Sequence, residues 1–233
     1  MVYITGDTHR NFSRVVLMCR TFHTSKEDVL IILGDAGING FGTKEDRQVK
    51  QMLSRLPITL FCIHGNHEER PQNVSGYAET VWHGGAVFME AEYPNLLFAK
   101  DGEIYEFDGR HCLVIGGAYS VDKHYRLALG KHWWADEQPS DTVKARVEQR
   151  LESENWRVDV VLSHTCPLQY EPTEVFLPGI DQSTVDKSTE EWLGAIESRL
   201  QYDEWYCGHF HTGKRIDKLT FLFQEIQMFS FGE

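Results

Sequence analysis

Asp7-Thr8-His9, Gly34-Asp35, Gly65-Asn66-His67-Glu68, Ser163-His164 and Gly208-His209-Phe210-His211 are the runs of this 233-residue chain whose residue types suit chemistry. They combine hard carboxylate and amide oxygens with imidazole nitrogens. Two first-row divalent cations a few ångströms apart need that mixture: carboxylates to offset charge, imidazoles for borderline positions, and one carboxylate able to bridge. Pairs spaced i, i+2, such as Asp7/His9 and His209/His211, present both side chains to one side of an extended backbone. Glycines at 34, 65 and 208 permit the tight turns by which a strand end approaches a metal. Any one of these histidines alone would be better explained as a satisfied core or surface residue. Their joint placement is what points to a metal site.

The elements that must position them are legible. Val2–Thr5, Val29–Leu33, Ile58–Ile63, Val158–Ser163 and Glu204–Cys207 read as strands, and each polar run directly follows one of them. Asn11–Phe22, Lys44–Leu56, Thr142–Ser153 and Glu190–Leu200 carry helical spacing. In an open α/β sheet the loops at the carboxyl ends of the strands converge on one crevice, so residues far apart in the chain can share a site. Asn95–Ala99, Glu103–Phe107 and His111–Ile115 are separated by Lys-Asp-Gly and Asp-Gly turns and predict a meander. Residues 215–229 predict hairpin strands. No repeat or linker interrupts the chain, so one domain over 1–233 is expected, with residues 121–156 an insertion near the active site.

The series DTH, GD, GNHE, SH, GHFH resembles the calcineurin-like metallophosphoesterase superfamily, and it runs from Asp7 to His211. The resemblance implies an α/β, four-layer αββα sandwich with two mixed sheets. It also implies a dinuclear centre with Asp7, His9 and His211 on one metal, Asn66, His164 and His209 on the other, and Asp35 bridging. His67 is then the catalytic histidine, which holds the phosphate and protonates the leaving oxygen. Reaction would be in-line attack by a hydroxide bridging two divalent ions. Manganese is the first expectation, since mixed carboxylate, amide and imidazole sites suit Mn and Fe, with Zn and Ni as alternatives.

The departures from that resemblance narrow the substrate. The phosphatase branch carries GDxxDRG, whose second Asp orients the histidine and whose Arg grips phosphate; here Ile38 and Asn39 stand at those positions. That branch also has an Arg two places before the GNHE Asn, where this chain has His64. A dianionic monoester gains most from such a clamp, so a phosphodiesterase is slightly favoured over a phosphomonoesterase. Arg10 and Arg126 are the candidate replacement substrate-binding residues, with Arg70 behind them. Lys131-His132-Trp133-Trp134 is a candidate aromatic wall.

Composition bounds the rest. Net charge is −12, 41% of residues are hydrophobic and 25% charged, which excludes disorder and argues against a bulk nucleic-acid or anionic-membrane surface. The five cysteines are scattered and never spaced CxxC, so neither a disulfide framework nor a thiolate zinc site is expected. MVYITGDTHR has no basic lead and no long apolar run, so no signal peptide and a cytoplasmic location are expected. The expected partner is a phosphate-ester substrate. A non-catalytic metal-binding scaffold is the rival class, and an intact set of metal-ligand residue types together with His67 speaks against it.

Overall fold

Successive residues of a strand point to opposite faces, and in the early strands both faces are apolar. The computed structural model, which describes residues 1–41 and 44–229, buries both. The elements are β1 (Val2–Thr5), α1 (Ser13–Phe22), β2 (Val29–Ile32), α2 (Lys44–Leu53), β3 (Thr59–Cys62), β4 (Tyr77–Trp82), β5 (Gly85–Glu90) and β6 (Leu96–Ala99). They continue with β7 (Ile104–Phe107), β8 (Arg110–Ile115), α3 (Lys123–Ala128), α4 (Asp141–Ser153), β9 (Val160–Ser163) and α5 (Ser188–Glu197). The chain closes with β10 (Glu204–Cys207), β11 (Lys214–Ile216), β12 (Leu219–Phe221) and β13 (Ile226–Met228).

These strands form two mixed sheets, ordered β13-β1-β2-β3-β6-β5-β4 and β11-β12-β10-β9-β8-β7. Ile4, Ile31, Phe61, Val114, Leu162 and Tyr206 fill the space between the sheets. The opposite faces of the first sheet, through Leu30, Ile32, Leu60 and Cys62, pack with Val15, Met18 and Leu53 of α1 and α2. The second sheet packs with Val147, Leu151, Leu193 and Ile196 of α4 and α5. The result is the expected four-layer arrangement, helix–sheet–sheet–helix. Because β1, β2 and β3 are mutually parallel, and β8, β9 and β10 likewise, each sheet delivers its strand ends to one edge.

The expected meander does not form. β6 pairs parallel with β3 in the first sheet, whereas β7 pairs antiparallel with β8 in the second. The chain changes sheets at Lys100–Glu103, and buried Asp101 pins that crossing. Its carboxylate accepts the Gly116 N–H at 2.7 Å and pairs with Arg70 at 2.7 Å. Likewise the tail splits: β11 and β12 form a hairpin in the second sheet, but β13 returns antiparallel to β1 in the first. The β4–β5 hairpin was not legible, because the middle of β4, Ala78–Val81, is exposed and carries no alternation. Within residues 121–156, α4 lies on the second sheet as the crossover between parallel β8 and β9, and α3 stands outside the layers. Residues 42–43 and 230–233 of the expected single domain lie outside the described residues.

Candidate functional site

The loops after β1, β2, β3, β9 and β10 bring Asp7, His9, Asp35, Asn66, His67, His164, His209 and His211 together, although they span two sheets. Nε2 of His211 lies 3.2 Å and Nε2 of His9 3.5 Å from Oδ2 of Asp7. Nε2 of His164 and Nδ1 of His209 approach the Asn66 Oδ1 at 2.9 and 3.1 Å. Between these groups sits Asp35, 3.9 Å from His9 Nδ1 and 3.8 Å from His164 Nε2. Among the described residues, three sets of donors lie close enough to hold an ion: Asp7/His9/His211, His9/Asp35/His67 and Asp7/Asp35/His164.

The backbone is bent hard to achieve this. Asp35, His9, Arg10, His209 and His211 all have φ between 43° and 67°, the left-handed region, which costs an L-residue about 1 kcal/mol or more and concentrates at functional sites. Two glycines are required by close approach. A Cβ at Gly65 would sit 2.0 Å from the Asp35 Oδ1, and one at Gly208 would sit 2.3 Å from the Asp7 Oδ1. Backbone donors then fix the acids: the His67 N–H donates to Asp35 Oδ1 at 2.8 Å and the His209 N–H to Asp7 Oδ1 at 2.9 Å.

Outer partners set the orientation of the inner ones, as at metal centres generally. His164 Nδ1 faces the Leu33 carbonyl oxygen at 2.7 Å, which leaves Nε2 to the site. The Asn66 amide nitrogen donates to Ser120 Oγ at 2.8 Å, so Oδ1 is the atom turned inward. Glu68 accepts from the Ala36, Gly37 and Gly65 N–H groups and staples the second and third loops together. Burial and the neighbouring Asp35 push its carboxyl up to about 8. Burial and nearby His164 push the His209 imidazole down to about 3, so the ring is neutral, as a ligand must be. Burial alone would raise the Asp7 carboxyl, but His211 and His9 hold it well below its usual range. Its buried Oδ2 has no hydrogen-bond partner among the described residues, an orphaned acceptor facing two imidazoles. That donor set fits divalent cations.

The chain matches the calcineurin-like phosphoesterase family over residues 1–213. It belongs to that family. Among solved structures it is similar to TT1561 of Thermus thermophilus, at 11% identity and a TM-score of 0.48, covering 95% of this chain and 87% of that one. It is also similar to AQ665, a protein of unknown function from Aquifex aeolicus, at 18% identity and a TM-score of 0.35, covering 73% and 81%. No curated protein matches the sequence. Family membership makes the chain a hydrolase of phosphate esters that uses divalent metal, and its own candidate metal-binding residues agree.

Around this centre the remaining candidates separate. Arg10 and Arg126 do reach the site: with His9, Phe41, His67, Lys131, His132 and Trp134 they line one groove of about 570 Å³. Each is engaged by an acid, Arg10 by Asp46 at 2.5 Å and Arg126 by Asp122 at 2.8 Å. Of the Lys131–Trp134 run, His132 and Trp134 stack at 6.0 Å in that groove, while Trp133 donates its indole N–H to Glu137. Arg70 is buried on Asp101 and the Asp136 carbonyl, away from the groove. His64 is buried and neutral, its imidazole pushed well down by burial and nearby Arg70.

One residue escaped sequence reasoning. Asp122 Oδ1 lies 3.4 Å from His67 Nε2. Burial alone would raise this carboxyl, but His67 and Arg126 beside it hold it at about 2. An acid therefore does stand behind His67, on the loop after β8 rather than after β2. The Gly116-Gly117 pair was the available signal, since it brings that loop onto the site: Gly117 N–H donates to the His64 carbonyl at 2.8 Å.

Proposed function

We propose that this chain hydrolyses a phosphodiester at a two-metal centre held by Asp7, His9, Asp35, Asn66, His164, His209 and His211. Bound there, divalent ions, manganese first, would neutralise charge on the phosphate and acidify water. His67 carries a proton to the leaving oxygen, and Asp122 holds its ring. Arg10 and Arg126 face the departing or retained substituent from the groove. The observation that carries the preference for a diester is that His67 lines two cavities that otherwise share no lining residue, and a diester has two substituents to accommodate. A cytoplasmic location fits five free, buried cysteines. No helix among the described residues is long and apolar enough to cross a membrane.

The deciding measurement compares bis-p-nitrophenyl phosphate with p-nitrophenyl phosphate on protein loaded with Mn, Ni, Mg or Zn. Diester hydrolysis is expected to equal or exceed monoester hydrolysis in kcat/KM. A strong monoester preference that disappears in Arg10→Ala would make Arg10 the phosphate clamp and overturn the diester assignment.

A further inference from the structure

The second cavity beside His67 differs in chemistry from the arginine groove. It encloses about 320 Å³, and its floor is formed by Asn66, His67, His209 and His211. Val121, Val175, Phe176, Leu177, Ile180 and Phe210 make its walls, and among the described residues no lysine or arginine lines it. Its charged groups are acids. Glu171 is paired with Lys187 at 2.6 Å, Glu190 accepts from Thr165 Oγ1 at 2.7 Å, and Asp122 faces His67. The wall contributed by residues 173–185 holds apolar side chains in water: Leu177 is 60% and Val175 39% exposed. Apolar area left in water forgoes the stabilisation that covering it would give. The volume lies at the lower end of the range for small-molecule sites.

We propose that this slot receives an uncharged, apolar substituent esterified to the substrate's phosphorus, while an anionic part of the same substrate lies against Arg10, Arg126 and Lys131. The substrate class is then an amphiphilic phosphodiester, an assignment that rests on the phosphoesterase function proposed above. Two features select this occupant. The slot shares Asp35, Asn66, His67, His209 and His211 with the candidate metal site, so a substituent on the reacting phosphorus reaches it directly. Among the described residues no lysine or arginine lines it to bind a second phosphate, whereas the other groove carries Arg10, Arg126 and Lys131. A protein partner seated on Leu177 and Val175 would instead cap the centre.

Calorimetric titration of metal-loaded protein with methyl-, butyl- and octylphosphonate tests this without turnover. Each buried methylene is expected to tighten binding by about fourfold until the slot is full. Leu177→Ser, an exposed position where folding is not at risk, should flatten the series. Affinities within about twofold from methyl to octyl, or a slope that Leu177→Ser leaves intact, overturn the slot while the phosphoesterase function stands. Failure of all three phosphonates to bind while bis-p-nitrophenyl phosphate is hydrolysed overturns the slot; failure of both binding and diester hydrolysis overturns the proposed phosphodiesterase function, and the slot with it.

Discussion

His67 stands between two carboxylates, with Asp35 Oδ2 3.7 Å from Nδ1 and Asp122 Oδ1 3.4 Å from Nε2. With its carboxyl held at about 2, Asp122 is ionised at any working pH and sets a negative charge 3.4 Å from Nε2. Asp122→Asn keeps the shape and removes the charge. It is expected to lower kcat by about tenfold or more, short of the roughly 10²–10⁴ expected for His67→Ala, with metal content unchanged. The loss should be larger for alkoxide than for p-nitrophenolate leaving groups, which depart without a proton. An equal loss for both would mean that Asp122 supports the loop and does not position the acid. Metal-type residues such as Asp7 and His9 were legible because each sits within a few residues of a readable strand end. Asp122 was not, because it reaches His67 only through the packing of a distant loop on the Gly65–Glu68 turn.

Helix α5 carries a different liability. Glu190, in its first turn, is 4% exposed, and burial is the main cause that pushes its carboxyl up to about 7. A carboxyl whose folded value exceeds its unfolded 4.5 binds its proton more tightly in the native state. Its stability contribution is therefore complete below about pH 4.5 and is lost as pH rises through about 7, amounting to about 3 kcal/mol at most. Wild-type Tm should fall from pH 5 to pH 8, and Glu190→Gln, which keeps the acceptor for Thr165, should flatten that fall. An identical pH dependence in the variant would place the titration elsewhere. Element boundaries were read well where apolar periodicity was strong, as in β1 and β10. Pairing was not, because Leu96–Ala99 and Ile104–Phe107 are equally apolar and nothing local says which sheet each joins.

The two sheets each hold half of the site. Asp7, His9, Asp35, Asn66 and His67 leave the first sheet, and His164, His209 and His211 leave the second, so the packing between them sets the spacing of any bound ions. Phe61, fully buried in that seam, meets Tyr105 edge-on at 4.7 Å, Phe107 at 5.3 Å and stacks on Trp82 at 5.4 Å. Phe61→Ala is expected to cost about 3–5 kcal/mol in denaturant unfolding and to weaken metal binding as well. Destabilisation with metal affinity unchanged would show that the loops, not the seam, hold the two halves in register. By itself the sequence determined the ligand-type residues and the strands that carry them, because periodicity and turn chemistry act over neighbouring residues, while the layered fold followed from the resemblance that the motif series carries. Only the tertiary structure decided that Asp122 approaches His67, that Arg10 and Arg126 share a groove while Arg70 does not, and that a second, apolar slot also reaches His67. Those are distances between segments far apart in the chain, fixed by how the two sheets and their loops pack together.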